Sequence, residues 1–371
     1  MSKTSQRRRR FQTGIVWAVA LSVSGCGLMK KPLPPGEALS KQERLDAIRR
    51  ASVWSKTNVS TVDFRTGPKI EGAFAPDQWV TCNYKEKKMS GASPKFTCQT
   101  KPGEEIKVKY GSRNAEVFGE VLATRLFWGL GFPTDAMFPV RVRCRGCSDD
   151  PRKNPKKVQG TQEFVLAAIE RKYPGRAMEI TEDSGWKWSE LEEIGPESPA
   201  NARAHRDALK LLAAFIQHSD SKAPNQRLLC PEGEGVGKKG CRAPILMVQD
   251  LGITFGESTL LNNNKNAASF VDWAEVPVWK DPKACVAELK GSFTGTFKNP
   301  AISEAGRAFL ADLLSQLSDA QLRALFGVSR IRKRSADPAS DPADEPPPAS
   351  VDEWVRLFKL KRAQIVDHRC P

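Results

Sequence analysis

Within eight residues, His218-Ser219-Asp220-Ser221-Lys222-Ala223-Pro224-Asn225 brings together an imidazole, a carboxylate, an ammonium and an amide, spelling H-x-D-x-K-x-x-N. A second acid, Asp250, follows the apolar run Ile245-Leu246-Met247-Val248 and opens a D-x-G with Leu251 and Gly252. Two acids and an amide placed this way can hold a divalent ion and orient an attacking hydroxyl, which is the economy of a phosphoryl-transfer site.

The elements that must position these groups can be read from periodicity. Ala204, Ala208, Leu211, Leu212 and Phe215 recur on one face of a helix over 202–217, which delivers His218 to its end. Upstream, Ile106-Lys107-Val108-Lys109-Tyr110 alternates as a strand does, with Lys107 and Lys109 on the face opposite the apolar residues. Gly111-Ser112-Arg113 turns the chain into a helix over 115–130, where Glu116 and Glu120 stand four apart on one face. Gly131-Phe132-Pro133 ends that helix. Strands are expected at 78–82 and 95–99, flanking a polar hairpin, and again at 137–142 and 164–169. The segment from Thr66 to Phe74 carries Gly67 and Gly72 between extended pieces, which suits either an ordinary turn or a loop that covers phosphates. Phe270 to Trp279 reads as a strand or a packing arm. Helices follow at 302–317, then from the capping box Ser318-Asp319-Ala320-Gln321 to Phe326, and at 351–366.

The loop motif, the following apolar strand ending in D-x-G, the strand lysine and the helix glutamates together resemble the protein-kinase-like superfamily over roughly residues 65 to 255. The resemblance implies an α+β, kinase-like two-lobed fold, with a small strand-rich N-lobe and a larger, mainly helical C-lobe. It implies that Asp220 orients the acceptor hydroxyl and that Lys222 meets the transferred phosphoryl. Asn225 and Asp250 would hold Mg²⁺ or Mn²⁺, and His218 would sit beneath the loop in a structural role. Lys109, with Lys107 as competitor, would bind the phosphates of ATP or another phosphoryl donor and be held by Glu116 or Glu120. Gly67 and Gly72 complete the cofactor-binding candidates. The sequence departs from the family pattern at several points. Ser219 and Ser221 replace an arginine and a hydrophobic residue, the proline is displaced to Pro224, and Leu251 stands where phenylalanine is common. The 66–74 stretch is not a G-x-G-x-x-G and there is no normal glycine-rich loop or A-P-E, so the likeness is to an atypical branch: HipA-like, lipid-kinase-like or secretory-kinase-like.

The chain ends carry a different kind of information. Arg7 to Arg10, the short apolar stretch 14–23 and Val23-Ser24-Gly25-Cys26 resemble a bacterial lipoprotein signal, cleaved before a cysteine that becomes lipidated. This implies a membrane anchor through Cys26, with palmitate among its acyl chains, and a place in the cell envelope. Gly27, with no aspartate there, points to the periplasmic face of the outer membrane. Export makes disulfides the expected state of the other eight cysteines. Distance along the chain pairs Cys82 with Cys98, Cys144 with Cys147 and Cys230 with Cys241, and elimination leaves Cys285 with Cys370. Cys144-Arg145-Gly146-Cys147 also suits half a zinc site or a redox pair. The net charge is +15, of which five positive charges lie in the first 25 residues. The remaining +10 favours anionic partners, yet no recognition helix or nucleic-acid motif is present, so no nucleic acid is expected. The domain plan is a signal at 1–25, a tether at 26–39, an N-lobe at 40–169, a C-lobe at 170–334, a Pro/Asp-rich linker at 335–350 and a docking helix at 351–371. Its cations Arg356, Lys359, Lys361 and Arg362 offer an anionic surface as a second destination. Three functions fit: a phosphotransferase acting on an anionic or hydroxyl-bearing envelope substrate, an inactive kinase-like lipoprotein serving as a binding or scaffolding module, or a non-kinase surface lipoprotein whose 218–252 motifs are accidental.

Overall fold

The computed structural model describes residues 38–89, 91, 93–180, 184–195, 201–256, 267–290, 295–334 and 348–371. All of them fall in one compact unit, Leu33–Pro371. The signal segment, Cys26 with its lipid, nearly all of the tether and residues 335–347 of the linker lie outside the described residues, as does most of the polar lip at 254–266.

The fold is α+β. Helix α1 (Lys41–Arg50) comes first, then strands β1 (Trp79–Lys85), β2 (Lys95–Lys101) and β3 (Glu104–Tyr110). Helix α2 (Glu116–Leu130) follows, then β4 (Ala136–Arg145) and β5 (Thr161–Arg171). The five strands close into a barrel in the order β1-β2-β3-β5-β4, sealed by a parallel pairing of β1 with β4 that sets Trp79 opposite Arg141 and Cys82 opposite Cys144. Strand alternation decides what fills it. Ile106, Val108 and Tyr110 point inward with Val80, Phe96, Phe138 and Phe164, while Lys107 and Lys109 face out. Aromatic rings pack inside, with Phe96 and Phe164 5.1 Å apart and Tyr110 4.9 Å from Phe164. The Cys82–Cys98 and Cys144–Cys147 disulfides join this core, and Cys98 Sγ lies 3.8 Å from Cys144 Sγ. Cys144 and Cys147 are thus joined to each other, which is the disulfide outcome among the three uses open to that spacing.

The C-terminal half is mainly helical. Strands β6 (Gly175–Ala177), β7 (Gln226–Pro231) and β10 (Ile245–Val248) form a small sheet, and the two-residue strands β8 (Gly235–Val236) and β9 (Gly240–Cys241) make a hairpin between them. Around them stand α3 (Ala202–Phe215), α4 (Phe270–Glu275), α5 (Glu304–Ser315), α6 (Asp319–Val328) and α7 (Val351–Val366). Phe270 to Trp279 is therefore a short helix followed by a strand residue, because Ser269 caps it by accepting from the Asp272 amide. Helix α7 docks through Trp354, which stacks on Trp273 and Phe326, and Phe358, which meets Phe215 and Phe326 edge-on. Two of its cations turn inward, while Arg356 faces outward with its side chain 74% exposed. Lys361 is buried over Trp273 and donates to Val276 O, while Arg362 donates to the Leu314 and Leu317 carbonyls.

One boundary differs from expectation. Residues 40–52 pack on the C-terminal half, not on the barrel, and Trp54 and Thr57 also donate to the Leu130 and Gly129 carbonyls at the end of α2. Arg44 pairs with Glu190 and donates to Gly185 O, Ser52 bridges to Ile245, and Trp54 lies 4.6 Å from His205 and 4.9 Å from Phe309. In return, Arg330, just past α6, enters the barrel wall and donates to the Val140 and Ala167 carbonyls at 3.1 and 2.6 Å. The two halves therefore hold each other in register.

The Cys230–Cys241 and Cys285–Cys370 pairs complete the expected set. The latter spans 85 residues and fastens the end of the chain beyond α7 to the strand region before α5. Replacing both Cys285 and Cys370 by serine should lower stability by about 2–5 kcal/mol. Urea unfolding under non-reducing conditions would measure it, and an unchanged midpoint would show that α7 docks without the bridge.

Candidate active site

Lys109 leaves the barrel wall pointing at α2 and is 1% exposed. A buried ammonium needs opposite charge, and three segments supply it. Glu116 and Glu120 of α2 approach Nζ to 2.6 and 2.5 Å, and Asp250, beyond β10, to 3.9 Å. Burial disfavours the charged lysine, but Glu116, Glu120 and Asp250 outweigh it and hold Lys109 charged, well above its ordinary range. The choice left open between Glu116 and Glu120 resolves to both. Lys107 pairs with Glu170 of β5 instead.

The fit between α2 and the D-x-G is tight. A Cβ on Gly252 would stand 2.7 Å from Glu116 Cγ, so only glycine lets the carboxylate pass. On the helix side, a Cβ on Gly119 would meet Gly252 O at 3.1 Å. Asp250 accepts from the Gly252 amide at 3.3 Å, and its side chain is 38% exposed. Burial raises its pKa, but Lys109, Lys107 and Lys95 dominate and hold the carboxyl below the usual carboxylate range.

The other acid arrives on the loop after α3. Asp220 receives Lys222 Nζ on both carboxylate oxygens at 2.8 Å. Asn225 Nδ2 donates to Asp220 O at 2.7 Å, which leaves Oδ1 as the end that can meet a cation. Asn225 O accepts from the amides of Gln249 and Asp250 at 2.9 and 3.3 Å, so the loop and the D-x-G are joined through main chain. Ser221 Oγ accepts from the Phe297 amide, and its carbonyl accepts from Thr296. His218 lies fully buried beside Trp188, and neither ring nitrogen has a hydrogen-bond partner among the described residues. Burial pushes it down to about 4, so it is a neutral packing residue, not a hydrogen-bonded prop.

Gly67 and Gly72 do not form a phosphate loop at Lys109. Gly67 has φ +79° and sits against Arg125, where a Cβ would fall 2.4 Å from Nη1; Gly72 sits in the same way on Arg171. The loop that does reach the cluster joins β1 to β2. Ser93 Oγ donates to Glu116 at 2.9 Å, and Asn114 Nδ2 donates to Pro94 O at 3.0 Å. Lys95 follows on β2; burial is the main cause that lowers its pKa, and Lys109 adds to it. In the sequence this loop reads only as a polar hairpin between two strands. A second addition is the ion-pair chain from Lys107 through Glu170 to Lys172 and Asp135, with Lys172 2.8 Å from Asp135. Burial opposes the charge on Glu170, yet Lys172 and Lys107 bring it down to about 2.

No protein-family model matches this chain, and no curated protein matches it. Among solved structures it is similar to one described as the crystal structure of a Helicobacter pylori proinflammatory kinase, CtkA. The identity is 11%, the match covers 79% of this chain and 96% of that one, and the TM-score is 0.39. A likeness of that size carries no weight for function, which must come from the side chains.

Glu120 gives this site a pH signature. Burial pushes its carboxyl from 4.5 up to about 8, against the pull of Lys109. In the unfolded chain it ionises near its ordinary value, so between those two values the folded state binds more proton and stability falls as pH rises. Glu120→Gln removes that term. The wild type should lose stability relative to Glu120→Gln between about pH 5 and pH 8, by a few kcal/mol. Parallel pH profiles of urea unfolding would check it; parallel slopes would place Glu120 as a permanently ionised partner of Lys109.

Proposed function

We propose that this chain is a kinase-like, metal-dependent phosphotransferase of the bacterial cell envelope. The observation that carries the reading is the meeting of Lys109, Glu116 and Asp250 from three separated segments, bonded through Asn225 to the loop of Asp220. The residues fit a divalent cation. Carboxylate oxygens of Glu116, Glu120 and Asp250 lie within 4.8 Å of one another, so three acids surround one ammonium. Asp250 is the most exposed of the three, and with Asn225 it would hold Mg²⁺ or Mn²⁺ through oxygen. Such an ion supplies positive charge against the phosphoryl oxygens of the donor.

The remaining steps belong to this chain's own groups. Lys109, oriented by Glu116 and Glu120, binds donor phosphate by charge and hydrogen bonding. Asp220 accepts a hydrogen bond from the acceptor hydroxyl and takes its proton as attack proceeds. Lys222, which bonds Asp220 in the resting arrangement, swings to the transferred group. The donor is ATP or another phosphorylated compound. The acceptor is an anionic or hydroxyl-bearing envelope molecule, and lipidated Cys26 would hold the protein at the periplasmic face of the outer membrane.

A second reading is an inactive kinase-like lipoprotein that binds or scaffolds. It is favoured by one observation: Asp220 already has both carboxylate oxygens occupied by Lys222. Calorimetry with ATP and other phosphorylated donors, with and without Mg²⁺, tests both. The wild type should bind a donor only with metal, and Asp250→Ala should lose that binding. Asp220→Asn should keep donor binding while phosphoryl transfer falls about 10²–10⁴-fold. Metal-dependent binding with no transfer by the wild type, or no donor binding by folded protein, defeats the phosphotransferase and selects the scaffold.

A further inference from the structure

A cavity of about 310 Å³ lies on the flank of α2 that Arg125 faces. None of Lys109, Glu116, Glu120, Asp220 or Asp250 lines it. Its volume falls in the range of small-molecule sites, roughly 300–1,000 Å³, and its wall is mostly apolar, as such sites are. Pro68, Ile70, Trp128, Phe132 and Met137 supply that wall.

The charged groups in the lining are Arg125, Arg171, Lys172 and Asp135, an excess of positive charge. Arg171 and Lys172 are already paired, with Glu104 and with Asp135 and Glu170. Arg125 is different. It is 1% exposed, and its Nη1 donates to the Phe64 and Arg65 carbonyls. Its Nε and Nη2 have no hydrogen-bond partner among the described residues, and neither does Thr134 Oγ1 in the same wall. A buried guanidinium with unmet N–H groups is costly to keep, and an unmet buried donor asks for a partner outside the protein's own side chains. Asp63 is the acid nearest in effect, but its Oδ1 accepts from the amides of Arg65 and Thr66.

We infer that this cavity is a binding site for a small anion with an apolar body, its charged end on Arg125 and Thr134 and its body against Trp128, Phe132 and Ile70. The carboxylate or phosphate accepts from the guanidinium, which is the strong, charge-assisted form of hydrogen bond. The apolar part fills space that the protein's own side chains leave open. The two glycines of the 63–72 turn fit this use. Gly67 lets the main chain lie directly on Arg125, and Gly72 does the same for Arg171, so the turn clamps both arginines at the cavity. This inference does not depend on the phosphotransferase reading.

The test is calorimetric titration of the full chain with 3-phenylpropionate and with its neutral amide. The acid should bind saturably and the amide at least about tenfold more weakly, the loss expected for removing a charge-assisted bond. Ile70→Trp, at a half-buried wall residue where the larger ring would fill the cavity, should abolish binding of the acid. Arg125→Gln, where it folds, should bring the acid down to the level of the amide. Wild-type protein that binds neither compound, or both equally, overturns the assignment. So does Ile70→Trp protein that binds the acid as the wild type does.

Discussion

A lysine can remain ionised inside a protein only if carboxylates are brought to it, and in this chain that requirement links segments far apart in sequence. Lys109 needs α2 to present Glu116 and Glu120, and it needs the turn after β10 to present Asp250. The packing follows from this. Gly119 and Gly252 are small because α2 and the D-x-G turn must touch, and the touch is what brings Asp250 within reach of Nζ. The loop of Asp220 is then placed by main-chain bonds from Gln249 and Asp250 to Asn225. One electrostatic demand therefore positions the acids of both motifs.

The barrel serves as the rigid side of that arrangement. Its aromatic interior and two adjacent disulfides fix β3, so the outward direction of Lys107 and Lys109 is not free to drift. On the other side, α3, α5, α6 and α7 bury a larger apolar cluster that carries the Asp220 loop. Arg330 and the packing of α1 and Trp54 tie one side to the other. The surplus of acid around Lys109 is what remains once these contacts are made, and it is the feature that calls for a cation.

Much of this was legible in the sequence because it rests on local periodicity. Alternation at 106–110 put the lysines on the face opposite the apolar residues, and the four-residue spacing of Glu116 and Glu120 put both acids on one face of a helix. Three cysteine pairs followed from distance along the chain and the fourth, Cys285 with Cys370, from elimination. What was not legible depended on tertiary neighbours. Gly67 and Gly72 look like loop glycines, and only the presence of Arg125 and Arg171 above them reveals their use. Lys107 finds Glu170 across 63 positions and a strand pairing, which no local pattern announces. Helix α1 carries its own capping box but no mark of which half it joins; Arg44 and Trp54 decide that. His218 sits in a motif, yet its surroundings make it a buried neutral ring.

The most direct measurement is anomalous diffraction from crystals grown with Mn²⁺ and a phosphorylated donor, for the wild type and for Asp250→Ala. The account predicts a manganese peak bound by Asp250 and Asn225 in the wild type, beside donor phosphate on Lys109, and no peak in the variant. A peak elsewhere, a peak that survives Asp250→Ala, or no peak at saturating metal and donor would contradict it.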